Sequence, residues 1–204
     1  MRIIGLTGSI GMGKSAAAAR FRELGIAVFD ADAEVHRLYA GPLAPAIEAA
    51  FPGATTNGVV DRNKLSAALL AAPQRFKDLE AIVHPRVRTE QRGFLKREAD
   101  RGAANAVLEI PLLFEARMNA LVDATVVVSA AEDVQRARVL ARPGMTSEKL
   151  DALLARQTPD AEKRAQADFV VDTSGTIAAC NTQIDVIVRE LERVTPRAYA
   201  VHWS

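Results

Sequence analysis

The chain has 204 residues, with 26 basic side chains against 25 acidic ones and a single cysteine, Cys180. That length builds one large domain or one core with insertions, the balanced charge excludes a protein-wide field for nucleic acid or membrane, and a lone cysteine excludes an intramolecular disulfide. No stretch approaches the roughly 20 apolar residues of a membrane span, and "RIIGL" is too short for a leader; a cytoplasmic, monomeric protein with no membrane or nucleic-acid partner is expected.

The first strand is "RIIGLT" (2–7), and it runs into Gly8-Ser9-Ile10-Gly11-Met12-Gly13-Lys14-Ser15. This matches G-x-x-x-x-G-K-[ST] in full. The glycines let the backbone curl and bring its N–H groups to phosphate oxygens. The helix after it points its partly positive end at the same anion. Lys14 reaches the β/γ-phosphates, and the Ser15 hydroxyl is a ligand for Mg²⁺. The plain alternative is a glycine-rich turn with an incidental lysine. A strand before the pattern and the helical "KSAAAARFREL" (14–24) after it, stopped by Gly25, favour phosphate binding.

The second strand, "IAVF" (26–29), ends in Asp30-Ala31-Asp32. On extended backbone, residues i and i+2 point the same way. Both carboxylates would then face the cleft beyond the C-terminal strand ends, where the phosphate loop also opens. A carboxylate there accepts the proton of an attacking hydroxyl, or it caps the next helix. The cap is assigned to Asp30 and the base to Asp32.

Between about 40 and 104 no strand is predicted. "AGPLAP" and "FPGATTNG" are turn clusters, and helices are expected over 61–72, 73–83 and 85–101, broken at His84-Pro85. His84 is either a helix-break residue or part of a site. Arg88, Arg92 and Lys96 form an i, i+4 stripe, read as a solvated face or as a clamp on a phosphorylated acceptor. The block reads as a helical insertion, 40–103, in a core formed by 1–39 and 104–204.

"AVLEI" (106–110), "ATVVVS" (124–129) and "DFVVD" (168–172) complete a parallel sheet of about five strands, apolar on both faces, with a helix over 131–141. The fold class is α/β, a three-layer core with helices on each side of the sheet. After "AVLEI", Pro111-Leu112-Leu113-Phe114-Glu115 is either ordinary core or an apolar floor under a ligand. "RPGM" (142–145) breaks the chain before polar helices rich in Arg, Lys and Gln, a second candidate insertion over 142–167. Arg138 and Arg142, four apart, either stabilise charge on a transferred phosphoryl group or form surface ion pairs.

"LTGSIGMGKS", "LGIAVFDAD", "LEAIVHP", "EIPLLFE" and "RVLARPGMTSEKLDALLARQ…EKRAQADFVVDTSG", in that order and spacing, resemble the dephospho-coenzyme A kinases. The resemblance spans about residues 2 to 175. It implies a P-loop NTPase core, a helical domain that binds the coenzyme A precursor, and a mobile lid near "RVLARPGM", over about 136–167. It also implies that ATP with Mg²⁺ phosphorylates the 3′-hydroxyl of dephospho-CoA, the last step of coenzyme A synthesis. By that similarity Asp32, Lys14 and Arg142 are catalytic, with Ser15 on the metal. Gly11, Met12, Gly13, Lys14, Ser15, Ala16 and Arg142 would bind ATP. Asp32, His84, Pro111, Leu112, Leu113 and Glu115 would face the acceptor. Three residues depart from the family pattern: Ala16 for a threonine, Pro143 for an aspartate after the lid arginine, and Thr173 for an asparagine after the last strand. Another small-molecule kinase is the nearest rival. A nucleotide switch is the remaining one, because Asp172-Thr173-Ser174-Gly175 spells D-x-x-G; it comes too late in the chain, and no Asn-Lys-x-Asp is present.

Overall fold

In the computed structural model, which describes residues 1–204, the chain begins with β1 (Arg2–Thr7), α1 (Lys14–Glu23) and β2 (Ala27–Asp30). Helices α2 (Ala31–Tyr39) and α3 (Ala44–Ala50) come next, then β3 (Thr55–Thr56), β4 (Val59–Val60), α4 (Arg62–Ala71) and α5 (Phe76–Asp100). The rest is β5 (Asn105–Glu109), β6 (Ala124–Ser129), α6 (Glu132–Leu140), α7 (Ser147–Leu154), α8 (Asp160–Gln166), β7 (Phe169–Asp172) and α9 (Ile177–Leu191). Two compact units result, Met1–Phe29 with Leu95–Ser204, and Asp30–Phe94.

The first unit is built on a five-stranded parallel sheet in the order β2-β5-β1-β6-β7. Its strands are the five that the apolar runs predict, each within a residue at either end. The central strand is β1, where Ile4 registers with Val107 on one side and Ala124 on the other. Burial on both faces of the inner strands β1, β5 and β6 explains why they read as continuous apolar runs rather than alternating ones. Helix α1 contributes Ala17, Ala18 and Phe21 to the core, and α9 contributes Cys180, Ile184, Ile187 and Leu191 at helical spacing. Arg20 then bridges the two helices, with Nε and Nη2 each 2.8 Å from a different Asp185 oxygen. Helix α1 ends where expected: Gly25 N–H donates to Arg22 O and Ile26 N–H to Phe21 O, both at 3.0 Å.

The second unit corrects three expectations. First, "FPGATTNG" folds into an antiparallel hairpin, Thr55 opposite Val60 and Thr56 opposite Val59. Asn57 and Gly58 both have positive φ, 53° and 76°, the turn that Asn-Gly favours; arms of two residues are too short to register as strands in a sequence. Glu48 secures the hairpin by accepting from Gly53 N–H, Thr55 N–H and Thr55 Oγ. Second, no break occurs at His84-Pro85, because α5 runs through Pro85 unbroken. The proline removes the bond to the Ala81 carbonyl, and Ala81 is exposed, so water can satisfy that oxygen. Third, the unit begins at Asp30 rather than at residue 40 and ends inside α5 at Phe94 rather than at 103. Asp30, the last residue of β2, is also the N-cap of α2, and Leu95 is fully buried in the first unit.

The tail "RAYAVHWS", to which the sequence assigns no role, is an anchor for the first unit. Asp123 accepts from Ile3 N–H through one carboxylate oxygen and from Arg197 and Ala198 N–H through the other, at 2.6 to 2.8 Å. Trp203 is fully buried and donates from Nε1 to Leu121 O at 2.8 Å. One carboxylate thus ties the start of the central strand to the end of the chain. Asp123→Ala leaves three backbone donors without that partner and is expected to lower unfolding free energy by about 3 kcal/mol or more. Urea denaturation checks this; a loss within experimental scatter would show that water replaces the carboxylate.

Candidate active site

The phosphate loop leaves the C-terminal end of the central strand and closes on α1, whose N-cap, Gly13, has φ 86° and no side-chain cap. No side chain therefore takes up the first N–H groups of α1, the condition in which a helix end receives an anion. Gly11 also lies in the left-handed region, at φ 79°. A Cβ on Gly11 would fall 2.5 Å from Val139 Cγ2, and one on Gly13 would fall 3.1 Å from Thr173 Oγ1. Conformation and crowding thus require glycine at both positions.

The carbonyl side of the loop is held from several directions. Gln135 of α6 donates from Nε2 to Ile10 O at 2.7 Å. Thr173 Oγ1 lies 2.8 Å from Met12 O and 3.2 Å from Ser129 O, and its N–H donates to Ser129 O at 2.8 Å. Met12 Sδ accepts from Ala130 N–H, and Lys14 Nζ donates to Gly8 O at 2.8 Å. Sequence reasoning missed Gln135, although it shares the buried face of α6 with Val139 and a polar residue there needs a reason. It flagged Thr173 only as a departure. The structure gives that threonine a position between the loop and the ends of β6 and β7. Arg138, from α6, donates to Thr173 O at 2.6 Å. Ser15 is exposed on the first turn of α1, and Ala16 beside it is half-buried and adds no hydroxyl.

The remaining sequence candidates separate by surroundings. Asp30 is the N-cap of α2, accepting from Ala33 N–H at 2.9 Å. Asp32 is not on extended backbone, because β2 ends at Asp30 and α2 starts at Ala31. The side-by-side carboxylates expected from strand geometry are therefore replaced by a cap and an exposed residue of the first helical turn. His84 is exposed in the middle of α5. Pro111 O accepts from Thr7 Oγ1. Leu113 is fully buried, its Cδ atoms about 3 Å from the point a Cβ on Gly5 would occupy, so it is a core residue. Leu112 is 44% exposed. Arg142 is exposed just after α6, beside Pro143. Of the basic stripe, Lys96 pairs with Asp100 at 3.0 Å, and Arg88 and Arg92 are exposed.

Glu115 belongs to a buried charge pair that the sequence does not reveal. Its Oε1 accepts from Thr158 N–H at 2.7 Å and lies 3.1 Å from Nζ of Lys163, which is fully buried. Lys163 Nζ is also 3.5 Å from Ser9 Oγ of the phosphate loop. Between the loop and the segment joining α7 to α8 lies a cavity of about 650 Å³, lined by Ser9, Met12 and Gln135 on one side and Gln157, Thr158 and Asp160 on the other. Ser129 Oγ fixes one Asp160 oxygen at 2.7 Å; the other, and Gln157 Oε1, are buried without a partner.

With this geometry in hand, comparison with known proteins is decisive. The family model for dephospho-CoA kinase matches residues 2–179. The chain belongs to the dephospho-CoA kinase family. It is 56% identical to the dephospho-CoA kinase of Brucella melitensis biotype 1, over 94% of this chain and 96% of that one. Among solved structures, TT1252 from Thermus thermophilus superposes with a TM-score of 0.80 at 36% identity, covering 93% of this chain and 97% of that one. The dephospho-CoA kinase from Campylobacter jejuni, at 22% identity, shares the fold with a TM-score of 0.68, covering 93% and 96%. The chain is accordingly a kinase, a phosphotransferase with the P-loop fold.

In this kinase the Glu115–Lys163 pair links the segment after β5 to α8 beneath the phosphate loop. Burial on its own would raise the Glu115 pKa; the N–H groups of Glu115 and Thr158 and the Lys163 ammonium outweigh it, holding the carboxyl below its ordinary 4.5. A depressed carboxylate stabilises the fold above its unfolded-state pKa, and that contribution disappears as pH falls through the folded value. Unfolding free energy measured by urea titration should therefore decline below about pH 5, with a shallower decline in Glu115→Gln. Lys163→Met strands the carboxylate and should lose about 3 kcal/mol at pH 7. Unchanged stability in Lys163→Met would show that the pair carries no net weight.

Proposed function

We propose that this kinase transfers the γ-phosphoryl group of ATP to the 3′-hydroxyl of dephospho-CoA, with Asp32 accepting the hydroxyl proton, and that it works as a cytoplasmic monomer. The family match over residues 2–179 supports the reaction and its acceptor. The observation that carries the donor side is the phosphate loop itself, its carbonyls tied to Gln135 and Thr173 and its N–H groups at an uncapped helix end. Such a loop holds phosphates by geometry alone, before any side chain acts. Lys14, already folded over the loop at Gly8 O, adds a charge that offsets the one built up on the leaving ADP.

Mg²⁺ fits this donor set. The exposed Ser15 hydroxyl is a hard oxygen ligand, and no group of three carboxylate, histidine or cysteine side chains forms a rival all-protein site. The Ser15 hydroxyl would hold the ion, which would supply positive charge against the phosphates. Arg142, exposed at the α6–α7 connection, supplies positive charge to the transferred group. Within the lid expected over 136–167, the exposed connection at Arg142 and Pro143 closes over the nucleotide so that water does not intercept the phosphoryl group, while Val139 and Lys163, both fully buried, stay with the core. His84, Pro111 and Leu112 contribute to acceptor binding in this reading. Glu115 acts there through Lys163, and Leu113 supports the segment from the core. The cytoplasmic assignment rests on the single buried cysteine, which suits a reducing compartment; no helix is long and apolar enough to cross a membrane.

Asp32 is the supported base because its neighbour is already committed. Asp30 caps α2, whereas Asp32 is exposed and has no hydrogen-bond partner among the described residues. Asp32→Asn is expected to lower kcat by about 10²-fold or more, with the KM for ATP within about twofold, in an assay that couples ADP release to NADH oxidation. Asp30→Asn keeps a competent cap and should remain close to wild type. The reverse pattern, an active Asp32→Asn and an inactive Asp30→Asn, would move the base to Asp30.

A further inference from the structure

The phosphate loop is held from outside by side chains of three elements, and one of them differs in kind from the others. Gln135 of α6 and Thr173, just after β7, are neutral and act on loop carbonyls. The third is Lys163 of α8, which has no exposed surface. A lysine is almost never buried to that degree unless its charge is paired. Glu115 Oε1 supplies that pairing at 3.1 Å. The other neighbour of the ammonium, Ser9 Oγ at 3.5 Å, belongs to the loop.

Ser9 is 2% exposed, and Lys163 is the one hydrogen-bond partner of its hydroxyl. A buried hydroxyl needs such a partner, and an ammonium, with three donors, can serve Ser9 and Glu115 at once. The position of Ser9 gives this contact leverage. Its carbonyl accepts from Met12 N–H at 3.2 Å, closing the turn that contains Gly11. Gly8, just before it, is packed against β6, where a Cβ would fall 2.5 Å from Val128 Cγ2. Ser9 is thus the first residue of the loop with a side chain, and its hydroxyl is a handle on the start of the turn. The same ammonium has a second connection. Glu115 Oε1 also accepts from Thr158 N–H at 2.7 Å, so the oxygen that pairs with Lys163 holds the connection between α7 and α8. Neither Gln135 nor Thr173 is hydrogen-bonded to that connection.

We infer that Lys163 is a positioning residue for the phosphate loop. Through Ser9 Oγ it fixes the start of the turn that holds ATP, and through Glu115 it sets that turn against the α7–α8 connection. This effect on nucleotide binding is separate from the weight of the Glu115–Lys163 pair in folding, because one hydroxyl carries it. The reading of the loop as the ATP site underlies the inference.

A double-mutant cycle over Ser9 and Lys163 in the full chain tests it, by titration calorimetry of ADP with Mg²⁺ at a temperature where urea curves show each variant folded. Lys163→Met removes the charge and keeps most of the stem, and should raise the Kd for ADP about tenfold or more. Ser9→Ala removes only the hydroxyl and should raise it about threefold or more, with the KM for dephospho-CoA within about twofold of wild type. Lys163→Arg keeps the charge and should recover part of the loss. The double variant should bind ADP no more weakly than Lys163→Met alone. If Lys163→Met does not fold, Lys163→Met in a Glu115→Gln background, which strands no charge, takes its place. Wild-type affinity for ADP in either folded single variant would overturn the inference, as would losses that multiply in the double variant. A wild-type chain that does not bind ADP would defeat the reading of the loop instead. The amide resonances of Gly11 and Gly13, recorded without nucleotide, would then decide: shifted in Lys163→Met if the ammonium holds the loop, unmoved if it does not.

Discussion

The carbonyl oxygens of the phosphate loop are tied down from outside the loop, and the rest of the donor site depends on that. A peptide plane whose C=O is fixed has its N–H fixed in the opposite sense. Gln135 on Ile10 O and Thr173 on Met12 O therefore help to orient the backbone N–H groups of the loop. The brace also explains the crowding. Gln135 and Val139 sit against Gly11, and Thr173 sits against Gly13, so the side chains that hold the loop are the ones that forbid a Cβ there. A preorganised cradle needs no rearrangement when charge shifts toward the leaving group, the property that makes electrostatic stabilisation effective.

The first unit supplies rigidity together with Pro111 and Leu112 of the proposed acceptor side, and the second supplies Asp32 and His84. The central position of β1 puts the loop over the middle of a sheet whose inner strands, β1, β5 and β6, are buried on both faces. Asp123 pins the opposite end of the same strand to the C-terminal segment, so both ends of β1 are fixed by side chains remote in sequence. Beneath the loop, Lys163 spans Ser9 and Glu115. In the helical unit, α2 divides its acidic residues between two tasks: Asp30 holds the helix start, and Asp32 is left for chemistry. A cavity beside Asp32 mixes polar side chains, among them His36, Tyr39, Arg62 and Ser66, with apolar ones.

What the sequence made legible was local. The phosphate loop lies within eight consecutive residues, and the sheet strands are short apolar runs bounded by turn residues, so both could be read from neighbours in the chain. The α1 stop at Gly25 and the Asp30 cap are local in the same way. Contacts between distant residues were not legible. Thr173 looked like a lapse from a pattern, yet it bonds to Met12, far back in the chain. Glu115 looked like the end of an apolar floor, and its partner Lys163 lies on a helix of a different segment. Where local rules failed, a specific circumstance prevailed. Pro85 stays inside α5 where the freed carbonyl belongs to the exposed Ala81, and β2 ends two residues before Asp32, so Asp30 and Asp32 do not share a strand face. The hairpin at Asn57-Gly58 carried its own turn signal, but its arms were too short to register as strands.

The central claim is that phosphate held in this loop passes to one hydroxyl of one acceptor. The most direct measurement is ³¹P NMR of the products formed from ATP, Mg²⁺ and dephospho-CoA. The account predicts ADP and a new phosphomonoester resonance, coupled to the ribose 3′ proton, in equal amounts. ADP accompanied by inorganic phosphate alone, or a phosphomonoester on any other oxygen, would contradict it.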